Sequence, residues 1–290
     1  MRVRAYGKLN LTLHVTGRRD DGYHLLHSWV QSVDVFDELD FTVNTSGETV
    51  LEVQDDSVPA GPANLAWRAA EALRRRSGRP DLGVRIRLRK GIPVAGGMGG
   101  GSADAAATLY ALNRLWDLDL DPLDLKRLAL ELGADVPFCL TGGLALMEGI
   151  GERLTPADPP GPLPLVVINP EARLSTADVY RLYDHLAPAP SPAGIDAGQF
   201  LAAWRKGPQE LAVLLHNDLE MAAVRLCPKV ERAKAALRRA GALAAVMSGS
   251  GPTVFGLARD DHHARWLCQV LRQDGWNPRA VRARISGLEE

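Results

Sequence analysis

The sequence predicts a two-domain protein built from both helices and strands, and three observations carry that expectation. At 290 residues, 46% hydrophobic and 24% charged, the chain exceeds one ordinary core of about 150 residues and has the composition of a globular protein. Apolar residues recur with period two in some segments and with helical period in others. Residues 155–164 hold five prolines in ten positions, which marks a linker between domains spanning 1–155 and 156–290.

Residues 8–15 alternate strictly, with Leu9, Leu11, Leu13 and Val15 on one face of a strand and Lys8, Asn10, Thr12 and His14 on the other. Residues 17–22 form a turn, 23–36 return to a strand-like pattern, and 38–54 read as further strands around a turn at 44–47. Asn64 caps a helix reaching about Arg76. Val84, Ile86 and Leu88 alternate with Arg85, Arg87 and Arg89 in a strand that ends before Pro93. Residues 94–101 contain five glycines in eight positions and lead into a helix from Ser102 to about Trp116. Pro122 opens a further helix, Gly133 closes it, and Asp135 lies in the turn before Pro137. Beyond the linker a strand is expected at 165–168, a helix at 176–185 and a loose segment at 187–198. Helices follow at 199–206, 208–225, 228–240 and 261–273, with strands at 243–247 and 253–257. His262 and His263 read as surface residues.

Charge narrows the function classes. A formal net charge of -1 and a pI near 6.7 give no field that gathers polyanions, so nucleic acid is not an expected partner. No run approaches the roughly 18 apolar residues of a membrane span, and residues 1–11 are too polar and short for a secretory leader. The expectation is a cytoplasmic protein with no membrane partner. Cys139, Cys227 and Cys268 are odd in number and lack metal-ligand spacing, so reduced thiols are expected. His24 and His27, three apart on a strand, point to opposite faces, which argues against a metal pair; no metal ligands are assigned.

The loop at 96–102 carries the clearest chemical signal. Glycines let backbone N–H groups approach an anion, and the following helix N-terminus adds about half a positive charge. It is not a Walker A loop, because Ser102 follows Gly101 with no lysine, and not Gly-x-Gly-x-x-Gly, because Ser102 takes the last glycine's place. The second small-residue loop, Ser248-Gly249-Ser250-Gly251-Pro252, reads equally well as a hairpin turn. By alternation alone Lys8 and Asn10 sit on a solvated strand edge, and by position alone Asp135 caps a short helix.

Taken together these segments resemble the GHMP kinases. Residues 8–11 correspond to that family's N-terminal motif, 93–103 to its Pro-x-x-x-Gly-Leu-Gly-Ser-Ser loop, and 247–253 to its C-terminal glycine loop. Further stretches are similar to the branch of the family acting on a cytidine-diphosphate sugar alcohol. These are Gly17-Arg18-Arg19-Asp20-Asp21-Gly22-Tyr23-His24, Leu132-Gly133-Ala134-Asp135-Val136-Pro137, Glu148-Gly149-Ile150-Gly151-Glu152 and Asn217-Asp218-Leu219-Glu220. Tyr6-Gly7 stands where Pro-Ala is usual, Met98 replaces a Leu, and Ala103 replaces a second Ser, which leaves Ser102 as the hydroxyl for phosphate or metal.

The resemblance implies a two-domain α+β fold. An N-terminal mixed-sheet domain would carry the glycine-rich ATP loop, a ferredoxin-like C-terminal domain would pack beside it, and substrates would lie between them. It implies transfer of the γ-phosphoryl of ATP, with Mg²⁺, to the 2-hydroxyl of the methylerythritol unit. Asp135 would accept the hydroxyl's proton or orient its oxygen, and Lys8 would pair with Asp135 and steady the γ-phosphate. Pro93, Gly96, Gly97, Met98, Gly99, Gly100, Gly101, Ser102 and Ala103 would hold ATP. Asn10, Tyr23, His24, Tyr180, Ser248 and Gly249 would bind the second substrate. Tyr23 and Tyr180 would sandwich the cytosine ring and His24 would bond its polar edge. The competing readings are a kinase for another small alcohol, such as homoserine or phosphomevalonate, an RNA-binding module on a shared fold, and an inactive nucleotide sensor.

Overall fold

The computed structural model describes residues 1–186 and 194–290; positions 187–193 of the expected loose segment lie outside the described residues. One strand organises the N-terminal half. β1 (Arg2–Asn10) and β2 (Thr12–Arg18) are separated only by Leu11, and both run antiparallel to β3 (His24–Asn44), which is 21 residues long. The strand expected over 8–15 is therefore two, and the segments expected over 23–36 and from 38 onward begin as one. β3 runs unbroken because Val35, Asp37, Leu39 and Phe41 keep one inward phase with no Gly or Pro between them. Lys8, Asn10 and Thr12 are buried along with Leu9, Leu11 and Leu13. The solvated edge that alternation suggests does not form, because other parts of the chain cover both faces.

β4 (Thr49–Val53) leads into α1 (Leu65–Ser77), where Asn64 Oδ1 accepts from Ala66 N at 2.9 Å and Gly78 at φ 66 closes the helix. β5 (Gly83–Arg89) pairs parallel with β4 and antiparallel with β3. α2 (Gly100–Leu115) starts two residues before the expected position. Its buried alanines, Ala103, Ala105, Ala106, Ala107 and Ala111, let it pack closely on α1 and β1. α3 (Pro122–Leu132), capped by Asp121, and α4 (Val136–Thr141) complete the helical layer. β6 (Leu144–Gly149) pairs with β3 and with β7 (Arg153–Ala157). Neither strand is among the sequence expectations, and β7 takes the first residues of the proline-dense stretch.

The second half contains, in chain order, β8 (Leu165–Ile168), α5 (Thr176–Leu186), α6 (Ala197–Lys206), α7 (Pro208–Ala212), β9 (His216–Asn217), α8 (Glu220–Leu226), α9 (Lys229–Arg239), β10 (Ala244–Met247), β11 (Val254–Leu257), α10 (Asp261–Gln273), β12 (Pro278–Val281) and β13 (Leu288–Glu289). An antiparallel sheet in the order β10-β11-β8-β12 forms its centre. β8 is apolar throughout because both faces are covered. Leu165 and Val167 join the N-terminal core, while Val166 and Ile168 face a second core with residues of α5, α8, α9 and α10. This is the two-domain α+β architecture with a ferredoxin-like second domain.

Two departures affect the site. The helix expected over 208–225 is broken, because residues 216–217 pair parallel with β2 and Asn217 Oδ1 accepts from Leu219 N at 2.9 Å. A side chain that bonds its own backbone competes with helical continuation. The tail also returns to the first sheet, where β13 pairs with β1 and Ala283 bridges Val33. His263 is buried rather than surface-exposed, its Nδ1 accepting from Arg259 N at 3.1 Å. Among the described residues, no helix is long and apolar enough to cross a membrane.

Candidate active site

The end of β1, the glycine loop leading into α2, the start of α4 and the β10–β11 loop meet around one cleft of about 480 Å³. The loop between β5 and α2 turns sharply, with Gly97 at φ 77 and Gly99 at φ 71, conformations that glycine adopts without the penalty of a Cβ. It is bonded to both other loop-bearing segments. Lys8 N donates to Met98 O at 2.9 Å and Thr253 N to Gly96 O at 3.1 Å. Ser248 Oγ donates to Gly97 O at 2.9 Å and accepts from Asn10 N at 3.2 Å. The Ser248–Pro252 loop is thus a hairpin turn that also closes against the first glycine loop. Thr176 and Ser250 hydroxyls, 2.8 Å apart, link α5 to its tip.

Lys8 has 4% of its surface exposed, and a buried ammonium requires partners. Asn10 Oδ1 accepts from its Nζ at 2.7 Å, and Asp135 Oδ2 lies 3.2 Å from it. Asn10 Nδ2 donates in turn to Ser28 Oγ at 2.8 Å, which fixes the amide's orientation. Asp135 makes no side-chain cap bond to α4. The ion pair, not capping, accounts for its position.

A second buried charge cluster was not among the sequence candidates. Lys90 Nζ donates to Asp37 Oδ2 and, at 2.7 Å, to Asp104 Oδ2, while Asp37 Oδ1 accepts from Gly91 N and Ile92 N at 2.7 and 2.9 Å. Burial disfavours the Lys90 ammonium, but the two carboxylates outweigh this and raise its pKa above the ordinary value. The available signal was Asp37 at an inward phase of β3 and Asp104 amid the alanines of α2, since a buried carboxylate needs a cation. Lys90→Met leaves two buried carboxylates facing each other without a cation, and removing one partner of such a set costs about 3–5 kcal/mol. Urea unfolding is expected to show that loss; a change within about 0.5 kcal/mol, the range of ordinary surface substitutions, would remove the cluster's structural role.

Pro93, Gly96, Gly97, Gly99, Gly100, Gly101 and Ser102 line the cleft with Lys8, Asn10, Asp135, Tyr180 and Gly249. Met98 and Ala103 are buried beneath it, and Ser248 acts from behind through its hydrogen bonds. A Cβ at Gly100 would meet Ile92 Cγ2 at 3.1 Å and Lys90 Nζ at 3.2 Å, whereas one at Gly97 would lie 2.3 Å from Ser248 O. Gly97 is the tightest position of the loop, followed by Gly96, whose added Cβ would lie 2.9 Å from Pro93 O. Val58, Pro59, Ala63 and Leu65 add an apolar wall beside the loop. These residues belong to a connection and a helix start with no local chemical signature.

The aromatic candidates are arranged differently from a sandwich. Tyr180 stacks on His24 with ring centroids 4.6 Å apart and planes at 26°. Burial chiefly, and the Asp135 charge secondarily, push its phenol pKa up. His24 Nε2 bonds Asp184 Oδ1 at 2.6 Å, and Arg18 Nη1 lies 3.2 Å from Asp184 Oδ2, tying the β2–β3 hairpin to α5. Tyr23 is 61% exposed and does not line the cleft, so His24 rather than Tyr23 faces the Tyr180 ring.

Comparison with known proteins places this geometry. The profile for the GHMP kinases N terminal domain matches residues 64–143, and that for the GHMP kinases C terminal matches residues 201–275. The chain is 48% identical over 271 residues to a 4-diphosphocytidyl-2-C-methyl-D-erythritol kinase of Moorella thermoacetica, covering 93% of this chain and 94% of that one. It is 45% identical over 284 residues to the protein of that name in Pelotomaculum thermopropionicum, covering 95% and 98% respectively. A crystal structure of a 4-(cytidine 5'-diphospho)-2C-methyl-D-erythritol kinase superposes with a TM-score of 0.81 at 38% identity, over 98% of this chain and 99% of that one. A homoserine kinase from Cytophaga hutchinsonii shares the fold, with a TM-score of 0.73 at 21% identity and coverage of 100% and 96%.

Proposed function

The chain belongs to the GHMP kinase family, and we propose that it transfers the γ-phosphoryl of ATP to the 2-hydroxyl of 4-diphosphocytidyl-2-C-methyl-D-erythritol in non-mevalonate isoprenoid biosynthesis. The observation that carries the reading is the Lys8–Asp135 pair, 3.2 Å apart, in one cleft with both glycine loops and Tyr180. Phosphoryl transfer demands positioning and charge neutralisation, since the transition state spreads negative charge over three oxygens. In this assignment the backbone of 96–101 and the N-terminus of α2 hold the phosphates. The purine lies against Val58, Pro59 and Leu65. Asp135 takes or orients the hydroxyl proton, and Lys8 sits between that carboxylate and the γ-phosphate.

Mg²⁺ fits the donor set. Ser102 and Asp135 present hard oxygens to the cleft, and Asp104, also in its lining, gives Oδ2 to Lys90 but keeps Oδ1 without a hydrogen-bond partner. A magnesium ion takes only one or two protein oxygens beside phosphates and water. Bound there, it would neutralise charge on the transferring phosphoryl group. We assign domains 1–155 and 156–290, the first supplying Lys8, Asp135 and the phosphate loop and the second Tyr180 and the closing loop. The protein is proposed to work in the cytoplasm on small molecules, without nucleic acid.

The deciding measurement is ATP turnover by the purified protein with the cytidine-diphosphate substrate, against bare methylerythritol phosphate and homoserine. Turnover confined to the cytidine compound is expected, and equal turnover of homoserine would refute the assignment. Tyr180, stacked on His24, offers the cytosine ring a π surface. Base stacking contributes about 1–3 kcal/mol per aromatic. Tyr180→Ala is therefore expected to raise KM for the cytidine substrate by roughly 5- to 150-fold and leave KM for ATP within about twofold. Tyr180→Phe should be nearly silent, because the ring face makes the contact. A folded Ala variant with both KM values unchanged would rule the contact out.

A further inference from the structure

On the side of β2 turned away from the cleft, side chains from both halves of the chain converge. Leu13 lines the cleft, so His14, the next residue along the strand, is directed to the opposite face. β9 runs parallel beside β2, with His216 opposite Thr12 and Asn217 opposite Leu13. One ring nitrogen from His14, one from His216 and a carboxylate oxygen of Asp218 lie within 4.8 Å of one another. The His14 and His216 rings stack with centroids 5.0 Å apart.

We propose that His14, His216 and Asp218 form a binding site for a divalent transition-metal ion of the Zn²⁺ class, joining β2 to β9 behind the phosphoryl-transfer cleft. Two imidazoles and one carboxylate are the donors that such ions select, whereas Mg²⁺ and Ca²⁺ take oxygen alone. Tetrahedral coordination at about 2.0–2.2 Å places ligand atoms about 3.3 Å apart. The half-exposed His216 ring can supply much of the approach by side-chain rotation. Asp218 is already oriented, since its Oδ2 accepts from Val15 N at 2.7 Å and its Oδ1 contacts His216 Nε2 at 2.6 Å. To admit the ion in place of the shared proton, that last contact must open from 2.6 Å to about 3.3 Å.

Protonation opposes the ion at one ligand, since the bond to Asp218 holds the His216 imidazole above its ordinary value and the ion must displace that proton. Burial opposes ionisation of Asp218, but the bonds from His216 and Val15 outweigh it and hold its carboxyl below the usual range. Three protein ligands leave a fourth position for water. The ion would also act on the neighbouring loop. Asn217, between two of the ligands, donates to Met247 O at 2.7 Å and Gly249 O at 2.8 Å, so fixing β9 fixes the anchor of the second glycine loop.

The test uses the full chain, stripped with chelator and titrated with Zn²⁺ in the absence of nucleotide. Calorimetry is expected to show uptake of one ion per chain, and Co²⁺ to give the strong visible absorption of four-coordinate geometry. His216→Ala and His14→Gln are each expected to weaken Zn²⁺ binding by at least about 10- to 100-fold, as losses of metal-supporting residues do. They should also abolish a Zn²⁺-dependent rise in Tm seen with the unaltered chain. His216→Ala should retain the unaltered chain's turnover with magnesium and ATP, which separates loss of this site from loss of the kinase site. Zn²⁺ uptake no greater than that of His216→Ala, uptake surviving both substitutions, or only the weak Co²⁺ bands of six-coordinate geometry would each overturn the proposal.

Discussion

Asp135→Asn is expected to lower kcat by about 10²- to 10⁴-fold, the range typical of a positioned general base, while ATP affinity changes little. The amide keeps the carboxylate's shape but cannot take a proton. The side chain makes no cap bond to the helix it precedes, so the substitution removes no local helix stabilisation. Its partner Lys8 stays bonded to Asn10 Oδ1 at 2.7 Å, so the buried ammonium is not left without an acceptor. Steady-state kinetics with both substrates, read beside calorimetric ATP binding, separates chemistry from affinity. Retention of more than about half the kcat, well above what this role allows, would return Asp135 to a purely structural position.

Gly97→Ala is expected to weaken ATP binding by roughly 5- to 150-fold, from about 1–3 kcal/mol of strain at a single backbone position. Gly97 sits at φ 77, and an added Cβ would lie 2.3 Å from Ser248 O, 2.9 Å from Gly251 N and 3.0 Å from Gly251 O. All three are backbone atoms, so no side-chain rotation relieves the contact. The two glycine loops must separate, and reassembling the cradle around phosphates then costs the strain again. Gly275→Ala is the control, since that glycine also has positive φ, at +80, but nothing within 4 Å of the added atom. Isothermal calorimetry should show ATP affinity falling in the first variant and unchanged in the second; equal affinities would mean that contact between the loops does not shape the phosphate site.

Much of the glycine loop's geometry was legible because its signals are local. Glycines before a helix, a Pro-ended strand and a Ser at the loop's end are all contained in residues 93–102. Lys8, Asn10 and Asp135 carried no such local signal. Alternation suggested a solvated edge and position suggested a cap; only the family motifs indicated chemistry. Lys90 was passed over at the end of a strand read only for its alternation of apolar residues with Arg85, Arg87 and Arg89, although Asp37 and Asp104 needed a cation. The resemblance pairs Tyr23 with Tyr180, but the β2–β3 hairpin presents His24 to Tyr180 and leaves Tyr23 exposed.

What the sequence by itself determined is the set of features whose causes act over a few residues. Asn64 and Asp121 cap their helices, Gly78 ends one, the glycine loop leads into α2, and β8 is apolar on both faces. Only the tertiary structure decided which polar groups are buried and with whom they pair. Lys8 meets Asp135 and Lys90 meets Asp104 across loops and elements distant in sequence. It also decided that residues 216–217 form a strand inside an expected helix. Periodicity reports the burial of each side chain along its own segment, whereas pairing with β2 and the bonds from Asn217 to Met247 and Gly249 depend on segments about 30 or more residues away. A buried charge or hydrogen-bonding group must find its partner wherever the fold brings one, and local propensity does not encode that partner.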